Sequence, residues 1–239
     1  MKQESLVDLG RLDRRAFMQA AAAIGATLAW GGIANAAQRW TLRPDLYPEG
    51  VASGDPDSQS VVLWTRRPFE GRDRAILIAE VARDPDFKEL IASVQAPVVA
   101  EADWTCRVLA AGLQPASVYW FRFIDESGNG SRIGRTITAP AADDSRSVKF
   151  AFVSCQSVNE GSQHAYRKMI FEDERAPADQ RLGFVLHLGD FIYEVVEYPD
   201  EVQHRYDRTV FDIGRVPDAR KVRNFHVPTT LGGYRMVYR

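Results

Sequence analysis

Phe152-Val153-Ser154-Cys155-Gln156 and His187-Leu188-Gly189-Asp190-Phe191-Ile192-Tyr193-Glu194 are the stretches on which the fold turns. Each closes a short, mostly apolar run: residues 148–153 before the first, 184–188 before the second. Runs of this kind, rich in β-branched and aromatic residues, read as buried parallel strands. Residues 164–174 between them read as a crossover helix, so strand, helix and strand make one βαβ unit. Cys155 and Asp190 then stand at carboxyl ends of parallel strands, where open α/β sheets place their ligands. Gly189 permits a tight exit from the second strand. With Tyr193 close behind, a thiol, a carboxylate and a phenol form a mixed soft and hard donor set for a metal ion.

Each of these residues also has a plainer role open to it. A lone cysteine is most often a small buried hydrophobe. An aspartate after Gly189 can cap a helix, and Tyr193 can cover the end of a sheet. His187, inside the second strand, reads as a core histidine or as one standing behind the site. His164, near the helix start, reads as solvated or packed. Gln156, Ser157 and Asn159 are loop polar groups beside Cys155, phosphate contacts or turn formers alike. The late arginines read as a solvated face, and no residue is assigned as catalytic acid, base or nucleophile.

Upstream, residues 47–140 read as all-β. Strand patterns occupy 60–66, 75–82, 97–100, 104–110, 118–124 and 132–139, separated by turn residues such as Asp84-Pro85 and Glu126-Ser127-Gly128-Asn129-Gly130. Short strands at this spacing predict a small sandwich of the fibronectin type III or immunoglobulin-like kind over residues 37–144. Alternation places Tyr119, Phe121 and Phe123 on one face, and Leu113-x-Pro115-x-Ser117-x-Tyr119 resembles the approach to a tyrosine corner. Residues 139–147 form a polar connector. Residues 145–239 then predict an α/β domain that is incomplete, because one βαβ unit cannot bury both faces of a parallel sheet. Residues 197–239 carry little regular pattern until 231–239, which reads as the beginning of a helix.

The whole chain has 239 residues and a net charge of -2, which gives no reason to expect nucleic acid or an anionic membrane as a partner. Residues 1–36 are expected to lie outside the fold. Arg14-Arg15-Ala16-Phe17-Met18 opens an alanine-rich apolar stretch, and Ala34-Asn35-Ala36 supplies small residues for cleavage. The stretch is too short to cross ~30 Å of hydrocarbon, so no stable membrane span is expected. The paired arginines resemble a twin-arginine export signal, which makes the export machinery a partner and the periplasm or the exterior the destination. Cys106 and Cys155 fall in different predicted domains, so no disulfide between them is expected.

In this order the motifs resemble the PhoD-type alkaline phosphatases, a family of metallophosphoesterases. The resemblance is carried by the Arg14-Arg15 leader, by Gly50-Val51-Ala52-Ser53-Gly54-Asp55-Pro56 with Val62-Leu63-Trp64-Thr65-Arg66, and by the two stretches around Cys155 and Asp190. It implies a fibronectin-like domain followed by an αββα metallophosphatase domain. It further implies a centre of Fe(III) with Ca2+, in which Cys155 and Tyr193 bind iron and Asp190 is shared between the metals. Thiolate and phenolate suit a highly charged ion that keeps both deprotonated, and calcium takes oxygen donors. The implied activity is hydrolysis of phosphate esters, mono- or diesters, by metal-activated hydroxide. Members of the family continue past the point matching Arg239 into further ligands, so the expectation is an N-terminal portion of such an enzyme. The alternative expectation is an inactive truncated exported protein whose fibronectin-like half acts as a binding module.

Overall fold

The computed structural model describes residues 26–30, 37–157, 163–198, 200–201 and 215–239, the first of these by backbone alone. The chain divides into two compact units, Met1–Ser145 and Arg146–Arg239.

In the first unit the chain runs through β1 (Ala26–Trp30), β2 (Thr41–Leu42), β3 (Val51–Gly54), β4 (Ser60–Arg66), β5 (Arg74–Ala82), β6 (Leu90–Val99), β7 (Thr105–Ala111), β8 (Val118–Asp125), β9 (Asn129–Gly130) and β10 (Gly134–Ile137). One sheet has the order β1-β7-β4-β3, and the other β2-β9-β8-β5-β6 with β10 also paired to β8. The two share one core because their strands alternate. Val61 and Leu63 of β4 and Cys106 and Val108 of β7 meet Leu77 of β5 and the β8 face Tyr119, Phe121 and Phe123. Those three aromatic side chains are 1%, 2% and 0% exposed. The Tyr119 hydroxyl accepts the Gln114 backbone N–H at 2.8 Å, so its polar end is satisfied where the ring is buried.

Arg122, on the other face of β8, is buried as well. Its Nε and Nη2 donate to one Glu80 oxygen at 2.8 and 2.6 Å. Phe87 and Trp40 lie against its guanidinium, with ring centroids at 4.0 and 4.7 Å. A buried ion pair of this kind is tolerable because each charge has a partner and further hydrogen bonds. The Gln38 N–H donates to the second Glu80 oxygen at 3.0 Å and so fastens this segment to the sheet. Trp40 lies on Gly130, where a Cβ would stand 2.1 Å from its ring.

One strand boundary of the sequence reading is corrected here. In the unprocessed chain Ala26–Trp30, inside the segment read as a leader, forms a strand parallel to β7. It pairs with a strand that would otherwise be the edge of its sheet, and a short apolar run suffices for that. The Arg14-Arg15 pair lies outside the described residues. The strand expected at 97–100 begins much earlier, at Leu90, and continues through Pro97. Proline is accommodated because β6 lies at the edge of its sheet.

The second unit opens with β11 (Phe150–Val153), crosses through α1 (His164–Arg175) and returns as β12 (Phe184–His187), parallel to β11. A hairpin missed by the sequence reading, β13 (Arg220–Val222) and β14 (Phe225–Val227), and α2 (Leu231–Tyr238) follow among the described residues. Thr230 caps α2, its hydroxyl accepting the Gly233 N–H at 3.2 Å. Val196, Tyr198 and Val216 form a small buried cluster of their own. The β11–β12 sheet, expected to be buried, is not: Phe150, Phe152 and Leu186 are 52%, 68% and 47% exposed. Among the described residues no helix is long and apolar enough to cross a membrane.

Candidate metal centre

Strand register brings the two singled-out stretches together. Val153 pairs with His187, so two residues further Cys155 lies beside Gly189. The ladder continues past the strands: Leu188 N–H donates to Val153 O at 2.8 Å, Cys155 N–H to Gly189 O at 3.1 Å and Gln156 N–H to Asp190 O at 3.1 Å. Cys155 and Asp190 adopt left-handed backbone angles, φ 57° and 51°, and Gly189 has φ 135°. Non-glycine residues in that region are uncommon and cluster at functional sites. The turn is tight enough that both side chains leave their strands at the same place.

There Cys155 Sγ lies 3.3 Å from Asp190 Oδ2, and the Tyr193 hydroxyl lies 3.2 Å from the same oxygen. Thiol and phenol thus both direct a proton at one carboxylate oxygen. All three side chains are exposed. The hydrogen bond with Cys155, then local desolvation and the negative charge of Asp190, push the Tyr193 phenol well above the ordinary tyrosine range. A cation placed among the three would reverse that effect. Among the described residues no three His, Cys, Asp or Glu side chains gather at a metal-holding spacing, and the group beside Cys155 and Asp190 is the Tyr193 phenol. One sulfur and two oxygen donors converging on a strand-end turn fit a metal with affinity for both.

The other candidates are placed differently. Gln156 is half-buried and accepts the Tyr166 hydroxyl at 2.8 Å, which ties the Cys155 loop to α1. Ser157 is half-buried beside it, His164 is exposed at the first turn of α1, and Asn159 lies outside the described residues. Arg215 is committed to acids, with Nη2 on Asp200 and Nη1 on Glu201 at 3.0 Å, and it lies over the Tyr198 ring at 3.9 Å. Arg220 and Arg223 are exposed on the hairpin. Both cysteines are free: Cys106 is buried in the first core, where burial pushes its thiol up to about 12, and Cys155 is exposed. Sequence reading missed what His187 contacts; a strand histidine two residues before a strand-end glycine was the available signal.

The sequence model of the PhoD-like phosphatase N-terminal domain matches residues 33–140, and that of the PhoD-like phosphatase matches residues 150–239. Alkaline phosphatase D of Bacillus subtilis (strain 168) is 36% identical over 211 residues, covering 81% of this chain and 34% of the relative. A solved structure described as that of PhoD matches with a TM-score of 0.58 at 30% identity, covering 80% of this chain and 34% of the other. The chain therefore spans about a third of the length of the relatives it matches.

Proposed function

The chain belongs to the PhoD-like phosphatase family, and from that premise we propose that it serves the hydrolysis of phosphate esters at a metal centre held by Cys155, Asp190 and Tyr193. The convergence of Sγ and the phenol oxygen on one Asp190 oxygen carries this reading. Cys155 and Tyr193 would hold Fe(III), and Asp190 would be shared between that ion and Ca2+. Bound there, the cations supply charge to clamp phosphate oxygens and to lower the pKa of a water. The chain's own contribution is preorganisation. The ladder from Leu188 to Gln156 holds the two loops at fixed separation, and Asp190, ionised, orients the thiol and phenol, whose protons would pass to solvent on metal binding.

Residues 37–144 are read as a fibronectin-like sandwich, and the unit around β11 and β12 as belonging to an αββα metallophosphatase domain. Residues 1–36 are read as a twin-arginine leader that sends the protein to the periplasm or beyond. Processing between Ala36 and Ala37, checked by N-terminal sequencing of the exported protein, tests that part.

Activity is tested on the full-length protein, loaded with iron and calcium, with an aryl phosphate monoester and a diester. Turnover in the parent, lost in Cys155→Ala and Asp190→Asn, is expected. A loaded parent that hydrolyses neither ester, or variants that match it, would overturn the proposal.

A further inference from the structure

Gly189 presents a problem that the metal-ligand reading leaves open. Its φ of 135° lies where side-chain sterics do not fix the backbone, so its two peptide planes need outside partners to keep Asp190 in place. The carbonyl has one, the Cys155 N–H at 3.1 Å. The N–H has another: it donates to His187 Nδ1 at 3.4 Å. The imidazole is itself held. His187 is registered against Val153 in the sheet. Its ring meets Phe191 at 5.1 Å and 60°, and Phe191 in turn stacks on Tyr238 of α2 at 5.9 Å and 18°. With Nδ1 accepting, the neutral ring carries its proton on Nε2, and that atom is buried without a hydrogen-bond partner among the described residues. Leaving a buried N–H unpaired is costly, so the orientation that turns Nδ1 to Gly189 is kept at the expense of the other nitrogen.

We infer that His187 is a positioning residue: through Nδ1 it fixes the Gly189 peptide and thereby sets the direction in which Asp190 meets Cys155 and Tyr193. The inference rests on the reading of those three residues as a metal centre. Groups behind metal ligands commonly govern affinity in this way.

The test uses the full chain and three variants. His187→Asn keeps a side-chain acceptor where Nδ1 stands, His187→Gln moves it toward the place of Nε2, and His187→Ala removes it. Two quantities are read: hydrogen exchange at the Gly189 amide by NMR, and affinity for Co(II) alone, whose thiolate ligation is visible in absorption. His187→Asn is expected to retain Gly189 protection and to bind Co(II) within about threefold of the parent, while the other two lose protection and weaken binding roughly 10- to 100-fold. Equal Gly189 protection in all four proteins overturns the role of His187. A parent that binds no Co(II) overturns the metal reading instead, and the exchange contrast between His187→Asn and His187→Gln still decides for or against His187.

Discussion

Phe121 and Phe123 in the first unit are 2% and 0% exposed, while Phe150 and Phe152 in the second are 52% and 68% exposed. All four sit on strands in alternating positions, so the difference comes from what lies over the strands. In the first unit two sheets supply one core. In the second, β11 and β12 form a two-stranded parallel sheet, an arrangement that is ordinarily covered on both faces. The packed core and the candidate centre are thereby separated. The first unit is held by side-chain packing. The candidate centre is held by a backbone ladder between two strand ends, with Cys155, Asp190 and Tyr193 at the surface.

The largest expected consequence is in truncation of a phenylalanine. Phe123→Ala should destabilise the first unit by about 3–5 kcal/mol, whereas Phe152→Ala should stay within about 0.5 kcal/mol. Denaturant unfolding of each variant checks this, and equal losses would erase the distinction between the units. The two cysteines carry the same contrast into chemistry. Cys106, buried and raised to about 12, should alkylate more than about 100-fold more slowly than the exposed Cys155 in the native protein. Mass spectrometry after timed iodoacetamide treatment reads the ratio. A smaller loss is expected from Tyr119→Phe, which removes the acceptor of the Gln114 N–H: about 1 kcal/mol, read from the unfolding midpoint of the first unit.

The smallest effect belongs to the second unit's surface. His226, then Lys221 and Arg215, hold the Glu201 carboxyl down to about 2 from an ordinary value of 4.5. A depressed carboxyl stabilises the fold above its unfolded pKa, and the contribution is lost as pH falls through the folded one. The stability gap between the parent and Glu201→Gln should therefore be widest above pH 4.5 and close as pH approaches 2. The side chain is solvent-screened, so the gap itself should be small. Circular dichroism melts across that range check it, and a gap that grows on acidification would contradict the assignment.

Much of this was readable along the chain because period-two alternation is local. It placed Tyr119, Phe121 and Phe123 on one face, which the structure buries, and the apolar runs before Cys155 and Asp190 located β11 and β12. Features set by distant partners were not readable. Arg122 is buried only because Glu80, Phe87 and Trp40 converge on it from elsewhere. β6 contains a proline within its run, which its place at the edge of the sheet accommodates, and a sequence does not announce which strand is the edge. The β13–β14 hairpin is three residues a side, too short for alternation to register. The same division runs through the centre. The motifs singled out Cys155, Asp190 and Tyr193 as candidates, but their convergence on one oxygen depends on a register between strands more than thirty residues apart. The hold of His187 on Gly189 is visible only once the strand-end turn is built.

The most direct test of the account is the metal content of Asp190→Asn against the parent after incubation of the full chain with iron and calcium and removal of free ions. Asp190 is the residue on which both other donors converge, so the parent should retain metal and the variant should retain almost none. Equal metal in the two proteins would mean that these three side chains do not form the centre.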